Sequence, residues 1–327
     1  MKIGGSQKMG GTMRFKMFSY LPLGKFHRDG APLASEIFTG LVSGANSQAG
    51  IMGDLDGDNI AAQREYAELR AMYFVWRNQL AEYDYVGFEQ AQMPFFIDPL
   101  PLKRLTAKFP MIAGVREIQQ RDWRVPVMNV SQPVFENYQD MRTSFTSEDC
   151  DRVVNWIARA DVIVPPVSAL DPSSPRQAYH TKTWMKFTGT AMGHGVFRKM
   201  PEAVLRGHGA WPFYNSFIMR ADLFGRFMES AFGAITAFEK QTKDKSLVQP
   251  RFLMEHLLGC YLKYLSLFDP TVRVSELPLL NLVPVELPVG FDGNAYAFLN
   301  PDIANRGLDP AAHYLVYGWQ QNREWML

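Results

Sequence analysis

Acidic side chains stand at two places in the sequence where they could do chemistry. Asp54, Asp56 and Asp58 alternate along one loop, and Glu89 follows a short apolar run. Alternating carboxylates suit Ca²⁺, but an EF-hand loop needs glycine where this chain has Asn59. Hydrogen bonding to a ligand, or capping of the next helix, is therefore favoured for these aspartates. Glu89 has the position at which open α/β sheets bind their ligands, just past the end of a strand.

The elements around these carboxylates would position them for a ligand. Asp58 or Asn59 can cap a helix that begins near residue 60, because their side chains accept hydrogen bonds from unpaired N–H groups. The apolar face of this helix, which we predict to pack on a sheet, consists of Leu69, Tyr73, Trp76 and Leu80. Residues 85–88 form a predicted buried strand, with Glu89 and Gln90 directly after it.

Strands and helices alternate along the rest of the chain. Further predicted elements are a strand over 15–20, a helix over 147–160, a strand over 161–164, a loop-rich stretch over 167–212, a strand over 214–220 and helices beginning at Asp222, as a cap, and at Pro250. Thr146 and Asp149 have the spacing of a capping box at the start of the first of these helices. The alternation is typical of an α/β fold.

Composition restricts the classes of function. The 327 residues carry a formal net charge of +1 and are 47% hydrophobic, which predicts a globular protein with no nucleic-acid partner. No apolar run reaches the length of about 18 residues that a membrane span needs, and the basic N-terminus has no hydrophobic signal core, so we expect a cytoplasmic protein. Cys150 and Cys260 form no CxxC pair and are expected to be buried thiols. Motifs of nucleoside-triphosphate hydrolysis, serine hydrolysis and dinucleotide redox chemistry are absent.

Six short segments follow one another along the chain: GDNI at 57–60, YAELRAMYFVWRN at 66–78, YDYVGF at 83–88, RADVIVPP at 159–166, YNSFIMRADLF at 214–224 and RFLMEHLL at 251–258. Together they resemble a family of bacterial capsular and exopolysaccharide glycosyltransferases that has long been described as a domain of unknown function. The resemblance implies a GT-A-like α/β fold over residues 15–285, after an N-terminal extension at 1–14. In such a fold a Rossmann-like sheet flanked by helices binds the nucleotide sugar.

The activity that the resemblance implies is transfer of a sugar from a nucleotide-diphosphate donor. Inversion is expected from the choice of Glu255 as the base. The donor would be a UDP- or GDP-sugar, and the acceptor a glycan or lipid-linked glycan in capsule, exopolysaccharide or O-antigen synthesis. Such an enzyme would work in the cytoplasm or at the inner face of the membrane.

The same resemblance gives roles to individual residues. Glu255, in the RFLMEHLL segment, would be the general base, although a solvated helix glutamate is the plain alternative and Asp222 and Asp161 are further candidates. Asn215 would contact the acceptor. The donor-binding residues would be Ser19, Tyr20, Asp58, Asn59, Glu89, Gln90 and His180. Glu89 could also hold Mg²⁺ or Mn²⁺, since GT-A enzymes often have metal-binding carboxylates at this place.

The chain departs from the family after the strand at 85–88. Members carry a run like His-Tyr-Arg-Arg-Tyr there, whereas this chain has Gln90 in place of the histidine and Gln92 and Met93 in place of the arginines. Those cations could offset the charge of a donor diphosphate. Their loss leaves open a second class of function, a catalytically silent glycan-binding or assembly protein on the same scaffold. A nucleotide-sugar transferase of another kind is a third.

The tail of the chain, residues 286–327, contains at 291–325 a segment that is similar to a short module found behind glycosyltransferases. It carries Asn-Pro-Asp at 300–302, His-Tyr at 313–314 and Gly-Trp at 318–319. Its many aromatic residues favour a small helical core that packs or docks, rather than a platform for sugar rings.

Overall fold

The structure is a computed structural model that describes residues 13–21, 37–42, 45–47, 51–121, 127–166, 168–169, 175–206, 210–212, 214–244, 247–283, 286–305, 309–319 and 323–326. Its strands are β1 (Phe15–Leu21), β2 (Phe38–Val42), β3 (Ile51–Gly53), β4 (Tyr85–Gln90), β5 (Val127–Val130), β6 (Val162–Val164), β7 (Ser168–Ala169), β8 (Ala210–Trp211), β9 (Phe217–Arg220), β10 (Val274–Glu276) and β11 (Leu279–Leu282). Its helices are α1 (Leu69–Asn78), α2 (Leu102–Lys108), α3 (Pro110–Arg121), α4 (Gln132–Thr143), α5 (Ser147–Ile157), α6 (Pro175–Ala191), α7 (Glu202–Arg206), α8 (Ala221–Gln241), α9 (Pro250–Phe268), α10 (Gly293–Leu299), α11 (Pro301–Ala304) and α12 (Pro310–His313).

Seven strands form the central sheet, in the order β10-β6-β9-β4-β1-β2-β3. Neighbouring strands run parallel except β9, which is antiparallel to both β4 and β6. The chain passes from β1 outward to β2 and β3, and then returns to β4 on the other side of β1. The strand order therefore reverses between β1 and β4. In open α/β sheets the ligand crevice lies outside the carboxyl ends of the strands at this switch point.

Alternate side chains of the central strands enter two different cores. On β1, Phe18 packs in a core with side chains of α1, α8 and α9, whereas Met17 packs with side chains of α5 on the opposite face. β4 has the same alternation, with Val86 and Phe88 on the first face and Tyr85 on the second. Because strand side chains alternate with a period of two, a strand covered by helices on both faces has apolar side chains on both faces for most of its length.

Gly87, in the middle of β4, lies where the adjacent side chains leave little room for a Cβ atom. A Cβ atom at this position would lie 2.6 Å from Sδ of Met17 and 3.2 Å from Cγ1 of Ile218. Since interiors are close-packed, a larger residue would force the buried Met17 side chain to move.

A third core lies beside the central sheet and includes part of the tail. Side chains of α2, α3 and α4 enclose it together with β5 and β11, which pair in parallel. Leu315 from the tail is buried in this core. The tail also has its own aromatic cluster, in which Tyr296 is buried against Phe291 and Tyr314. The tail thus packs on the lobe formed by α2, α3 and α4.

The first predicted helix begins later than its sequence suggests. α1 starts at Leu69, so the prediction that Asp58 or Asn59 caps it is wrong. A 3-10 turn at Arg64–Tyr66 precedes the helix. The buried guanidinium of Arg70 donates hydrogen bonds of 2.8 and 3.3 Å to two carbonyl oxygens of this connection. Tertiary contacts of this kind fix the connection in a non-helical conformation, which overrides local capping preference.

Four other expectations about local structure were wrong. The stretch predicted to be loop-rich contains α6, a helix of 17 residues. β9 begins at Phe217 rather than 214, because Tyr214 and Asn215 have left-handed backbones. Asp222 does not cap α8, since the N-cap residue is Arg220 and the Asp222 carboxylate pairs with its guanidinium. The predicted face of α1 also packs differently, with Tyr73 and Trp76 half-buried against a phenylalanine of α8.

Several predictions about the rest of the chain are confirmed. Thr146 and Asp149 form the capping box of α5, and Pro250 occupies the first turn of α9. Cys150 and Cys260 are buried and form no disulfide. Over the described ranges, no helix combines the length and the apolar character needed to cross a membrane.

Candidate active site

The carboxyl ends of β1 and β4 bring the first predicted site residues together. Ser19 lies opposite Glu89 and Tyr20 opposite Gln90 in the parallel register of the two strands. Ser19 is buried, and its hydroxyl donates a 2.6 Å hydrogen bond to Oε1 of Glu89. These residues therefore lie at the switch point of the sheet, but inside β1 and β4 rather than past the strand ends where the sequence analysis puts them, because the parallel ladder continues through Gln90.

Glu89 is part of a buried ion pair. Oε1 accepts a second hydrogen bond from Nη2 of Arg142 at 2.7 Å, and Oε2 accepts one from the backbone N–H of Phe95 at 2.9 Å. Both charged side chains are fully buried, and the Arg142 guanidinium stacks 3.9 Å above the ring of Phe38. A carboxylate whose two oxygens already accept hydrogen bonds, one of them from a buried cation, does not fit a ligand of Mg²⁺ or Mn²⁺. In the described part of the chain, no three His, Cys, Asp or Glu side chains are grouped so that they could hold a metal ion.

A strained turn lies directly before β9, beside the carboxyl end of β4. Tyr214 and Asn215 have φ angles of 76° and 50°, in the left-handed region that bulky side chains rarely adopt. Two side chains hold the turn: Glu255 accepts the N–H of Tyr214 at 3.0 Å, and Gln90 donates to the carbonyl oxygen of Tyr214 at 3.3 Å. Strain of about 1–3 kcal/mol per residue persists only where surrounding contacts impose it, and it is concentrated at functional sites.

Asn215 connects this turn to α1 and α9. Its Nδ2 donates to Oε1 of Glu68 at 2.9 Å and to the carbonyl oxygen of Arg251 at 3.1 Å. Its Oδ1 is buried and has no hydrogen-bond partner among the described residues. Since a buried acceptor without a partner is costly, a ligand hydroxyl that reached this atom would satisfy it.

Glu68 and Arg251 form an ion pair beside Asn215. Nε of Arg251 lies 2.9 Å from Oε1 and 2.7 Å from Oε2 of Glu68. The Glu68 side chain is buried, whereas that of Arg251 is 52% exposed. The pair therefore fixes Nε of a guanidinium whose side chain is about half exposed.

Glu255 lies one helical turn after Arg251 on α9, half-buried. Residues four apart share a helix face, so both side chains point toward the same side of α9. Burial and the negative charge of Glu255 raise the pKa of Tyr214. The structure thus places the predicted general base beside the predicted acceptor residue, Asn215.

Comparison with known proteins shows the family. A family described as a domain of unknown function, DUF4422, matches residues 25–265. The chain belongs to the DUF4422 family. No curated protein matches it.

Among solved structures, the apo structure of WbbM, described as a bifunctional glycosyltransferase, is similar to this DUF4422 chain with a TM-score of 0.57 and 19% sequence identity. The match covers 85% of this chain and 48% of that one, so this chain spans about half the length of WbbM. At this identity the likeness shows the fold. It confirms the predicted α/β architecture, a glycosyltransferase-like sheet flanked by helices.

Two predicted donor residues of the DUF4422 chain lie apart from this cluster. Asp58 pairs with Arg77 at 2.9 Å on the last turn of α1, and Asn59 makes hydrogen bonds within its own loop. Glu68 precedes the first turn of the same helix, and ten helical residues span roughly 15 Å. The structure therefore does not bring Asp58 to the Glu68–Asn215 contact. The His180 side chain lies outside the described residues.

The alternative bases are also separate from the crevice. Asp161 precedes β6, at the amino ends of the parallel strands and thus at the end opposite to the carboxyl ends. It forms ion pairs with Arg220 at 2.8 Å and Arg273 at 3.2 Å. Burial opposes ionisation of Asp161, but the hydrogen bonds and charge of these arginines hold its pKa below the usual range. Asp222 is exposed and pairs with Arg220. Both carboxylates have structural partners.

Three charged residues of the site were missed by the sequence analysis: Glu68, Arg142 and Arg251. Two of them carried a signal, because Glu68 and Arg251 lie within the segments YAELRAMYFVWRN and RFLMEHLL. Arg142 carried none. It is 53 residues away from Glu89 and belongs to a proline-rich region with no clear periodic pattern.

Proposed function

We propose that this protein transfers a sugar from a nucleotide-diphosphate donor to a glycan acceptor, in the crevice at the carboxyl ends of β1 and β4. One observation carries the proposal: Gln90, Asn215 and Glu255 converge at the switch point of a sheet whose fold is that of a glycosyltransferase structure. Ser19 and Tyr20 would lie near the base of the nucleotide, and Gln90 near the donor sugar or its phosphates. UDP- and GDP-sugars are the donors to test first.

The chemistry would use Glu255 as a general base. The acceptor hydroxyl attacks the anomeric carbon, and its proton passes to the carboxylate of Glu255. The new glycosidic bond forms as the bond to the diphosphate breaks, and the nucleoside diphosphate leaves with the electron pair. Displacement in one step inverts the anomeric centre. Asn215, in the turn that Glu255 contacts, would lie near the acceptor sugar.

The biological setting that we propose is synthesis of capsule, exopolysaccharide or O-antigen, in the cytoplasm or at the inner face of the membrane. The acceptor would then be a glycan or a lipid-linked glycan. This setting rests on the family resemblance of the six segments.

A thermal-shift screen of UDP-, GDP-, CMP- and dTDP-sugars, each with EDTA or with Mn²⁺, tests the donor. A ligand that binds the folded state alone stabilises it by about 2.7 kcal/mol at a hundredfold excess over its dissociation constant. A selective shift with one nucleotide class would support a transferase. No shift with any of them, together with affinity for free glycans, would favour a glycan-binding or assembly protein.

The Glu255→Gln variant tests the base. Its amide oxygen can still accept the Tyr214 N–H, so we expect normal donor binding and a turnover rate lower by about 100- to 10,000-fold. Glu229→Gln, an exposed glutamate on α8, is the matched control and should leave turnover unchanged. Wild-type turnover in Glu255→Gln would show that another group accepts the proton.

A further inference from the structure

We propose that Arg251 neutralises the diphosphate of the donor, and that this site does so without a metal ion at Glu89. The inference rests on the proposed transferase function and names a phosphate-binding residue for it. It starts from the charge that any such reaction must offset. A departing nucleoside diphosphate carries negative charge that develops further in the transition state, and enzymes stabilise it with fixed cations or metal ions.

The segment that follows β4 supplies no free cation for this task. Gln90, Gln92 and Met93 are uncharged, and the Glu89 carboxylate is fully engaged by Ser19, Arg142 and a backbone N–H. Arg142 itself is buried behind the sheet edge, with its charge directed at Glu89. A diphosphate in the crevice therefore needs a cation from another element.

Arg251 reaches the same crevice from the first turn of α9. Its carbonyl oxygen accepts from Asn215, which lies in the turn that Gln90 contacts at Tyr214. The side chain is half-exposed, and its Nη1 and Nη2 have no hydrogen-bond partner among the described residues. By contrast, the guanidinium of Arg70 is buried and donates to backbone carbonyls.

The contact with Glu68 orients this guanidinium. Both carboxylate oxygens of Glu68 lie within 2.9 Å of Nε, and Asn215 holds Glu68 from the other side at 2.9 Å. With Nε held, the planar group presents its Nη edge, whose two N–H bonds match two phosphate oxygens. A guanidinium held in this way loses little entropy when it binds a phosphate, and this favours arginine over lysine.

The position of Arg251 in the first turn of α9 would further favour binding of a phosphate. α9 has 19 residues, and its N-cap residue, Gln249, makes no side-chain capping bond. The N-terminus of a long helix carries partial positive charge from its unpaired N–H groups. This partial charge would also attract a phosphate beside Arg251, so the arginine and the helix N-terminus would both stabilise the bound anion.

Binding measurements on the full chain test the inference. Dissociation constants would be measured for UDP, GDP, uridine and guanosine, in EDTA and again in Mn²⁺. For Arg251→Gln we expect diphosphate affinity about 10- to 100-fold weaker, the value of one charge-assisted contact, with nucleoside affinity unchanged. Arg251→Lys keeps the charge without the planar edge and should fall between. Arg152→Gln, which removes another half-exposed paired arginine, is the control.

The outcomes separate this inference from the proposed function. If the wild-type protein binds neither UDP nor GDP, the proposed function fails and takes the inference with it. If it binds one of them and Arg251→Gln binds equally tightly, only the inference fails. Binding that requires Mn²⁺ would also overturn it, because the metal would then carry the charge. Should Arg251→Gln not fold, Arg251→Lys decides, since it retains a cation beside Glu68 and should still weaken diphosphate binding selectively.

Discussion

The buried Glu89–Arg142 pair makes a quantitative prediction. In Glu89→Gln, the Arg142 guanidinium would lose its charge partner while remaining fully buried, and its Nε and Nη1 have no hydrogen-bond partners in the described structure. The new amide would also direct an N–H toward one of the donors that now bind Glu89. Removing one partner of a buried ion pair typically costs about 3–5 kcal/mol, and we expect a loss of unfolding free energy in this range.

The assay is urea unfolding of the wild type, Glu89→Gln, Arg142→Met and the double variant. The double variant should be more stable than the sum of the single losses predicts, because it leaves no unpaired charge inside. Asp58→Asn at the exposed Asp58–Arg77 pair is the control and should cost less than about 1 kcal/mol. If Glu89→Gln were as stable as that control, Glu89 would not be structural, and a role on the ligand would have to be reconsidered.

Two further predictions concern packing and pH. Gly87→Ala should destabilise the protein by about 1–3 kcal/mol, because its Cβ would lie 2.6 Å from Met17. The control is Gly114→Ala, a helical site with nothing within 4 Å, which should be neutral or stabilising. Equal melting temperatures for the two variants would contradict the packing argument. The lowered pKa of Asp161 contributes stability that is complete above the unfolded value of about 3.9 and is lost as the pH falls through the folded pKa. The unfolding free energy of Asp161→Asn should therefore decrease less steeply than that of the wild type as the pH is lowered. The exposed Asp151→Asn should retain the wild-type dependence of unfolding free energy on pH.

The sequence predicted those elements whose burial follows a simple period. β1 and β4 are apolar on both faces, and α8 and α9 repeat large apolar residues at helical spacing. α6 was missed because its buried face mixes types: Thr183, Trp184, Phe187, Thr188 and Ala191. The early start predicted for α1 failed for another reason. Asp58 is a good capping residue, but a buried arginine further along fixes the connection.

The site was predictable in position and less so in its contacts. A carboxylate at the end of β4 indicates a ligand crevice by topology alone, and Glu255 could be placed there by resemblance. The partners of these groups come from distant parts of the chain: Glu68 is 183 residues from Arg251, and Arg142 is 53 from Glu89. Such pairings depend on tertiary packing, so a single sequence contains no local pattern that reveals them.

The position of Leu315 has a consequence for how the chain is made. The core that it completes is otherwise built from residues 96–141 together with Leu280, so its last apolar side chain is translated long after the others. β5 likewise waits for β11 before it acquires its parallel neighbour. While the ribosome is still synthesising the intervening part, the lobe of α2, α3 and α4 exposes apolar surface and an open strand, features that favour aggregation. A nascent chain stalled before the tail should therefore need chaperone protection on this lobe.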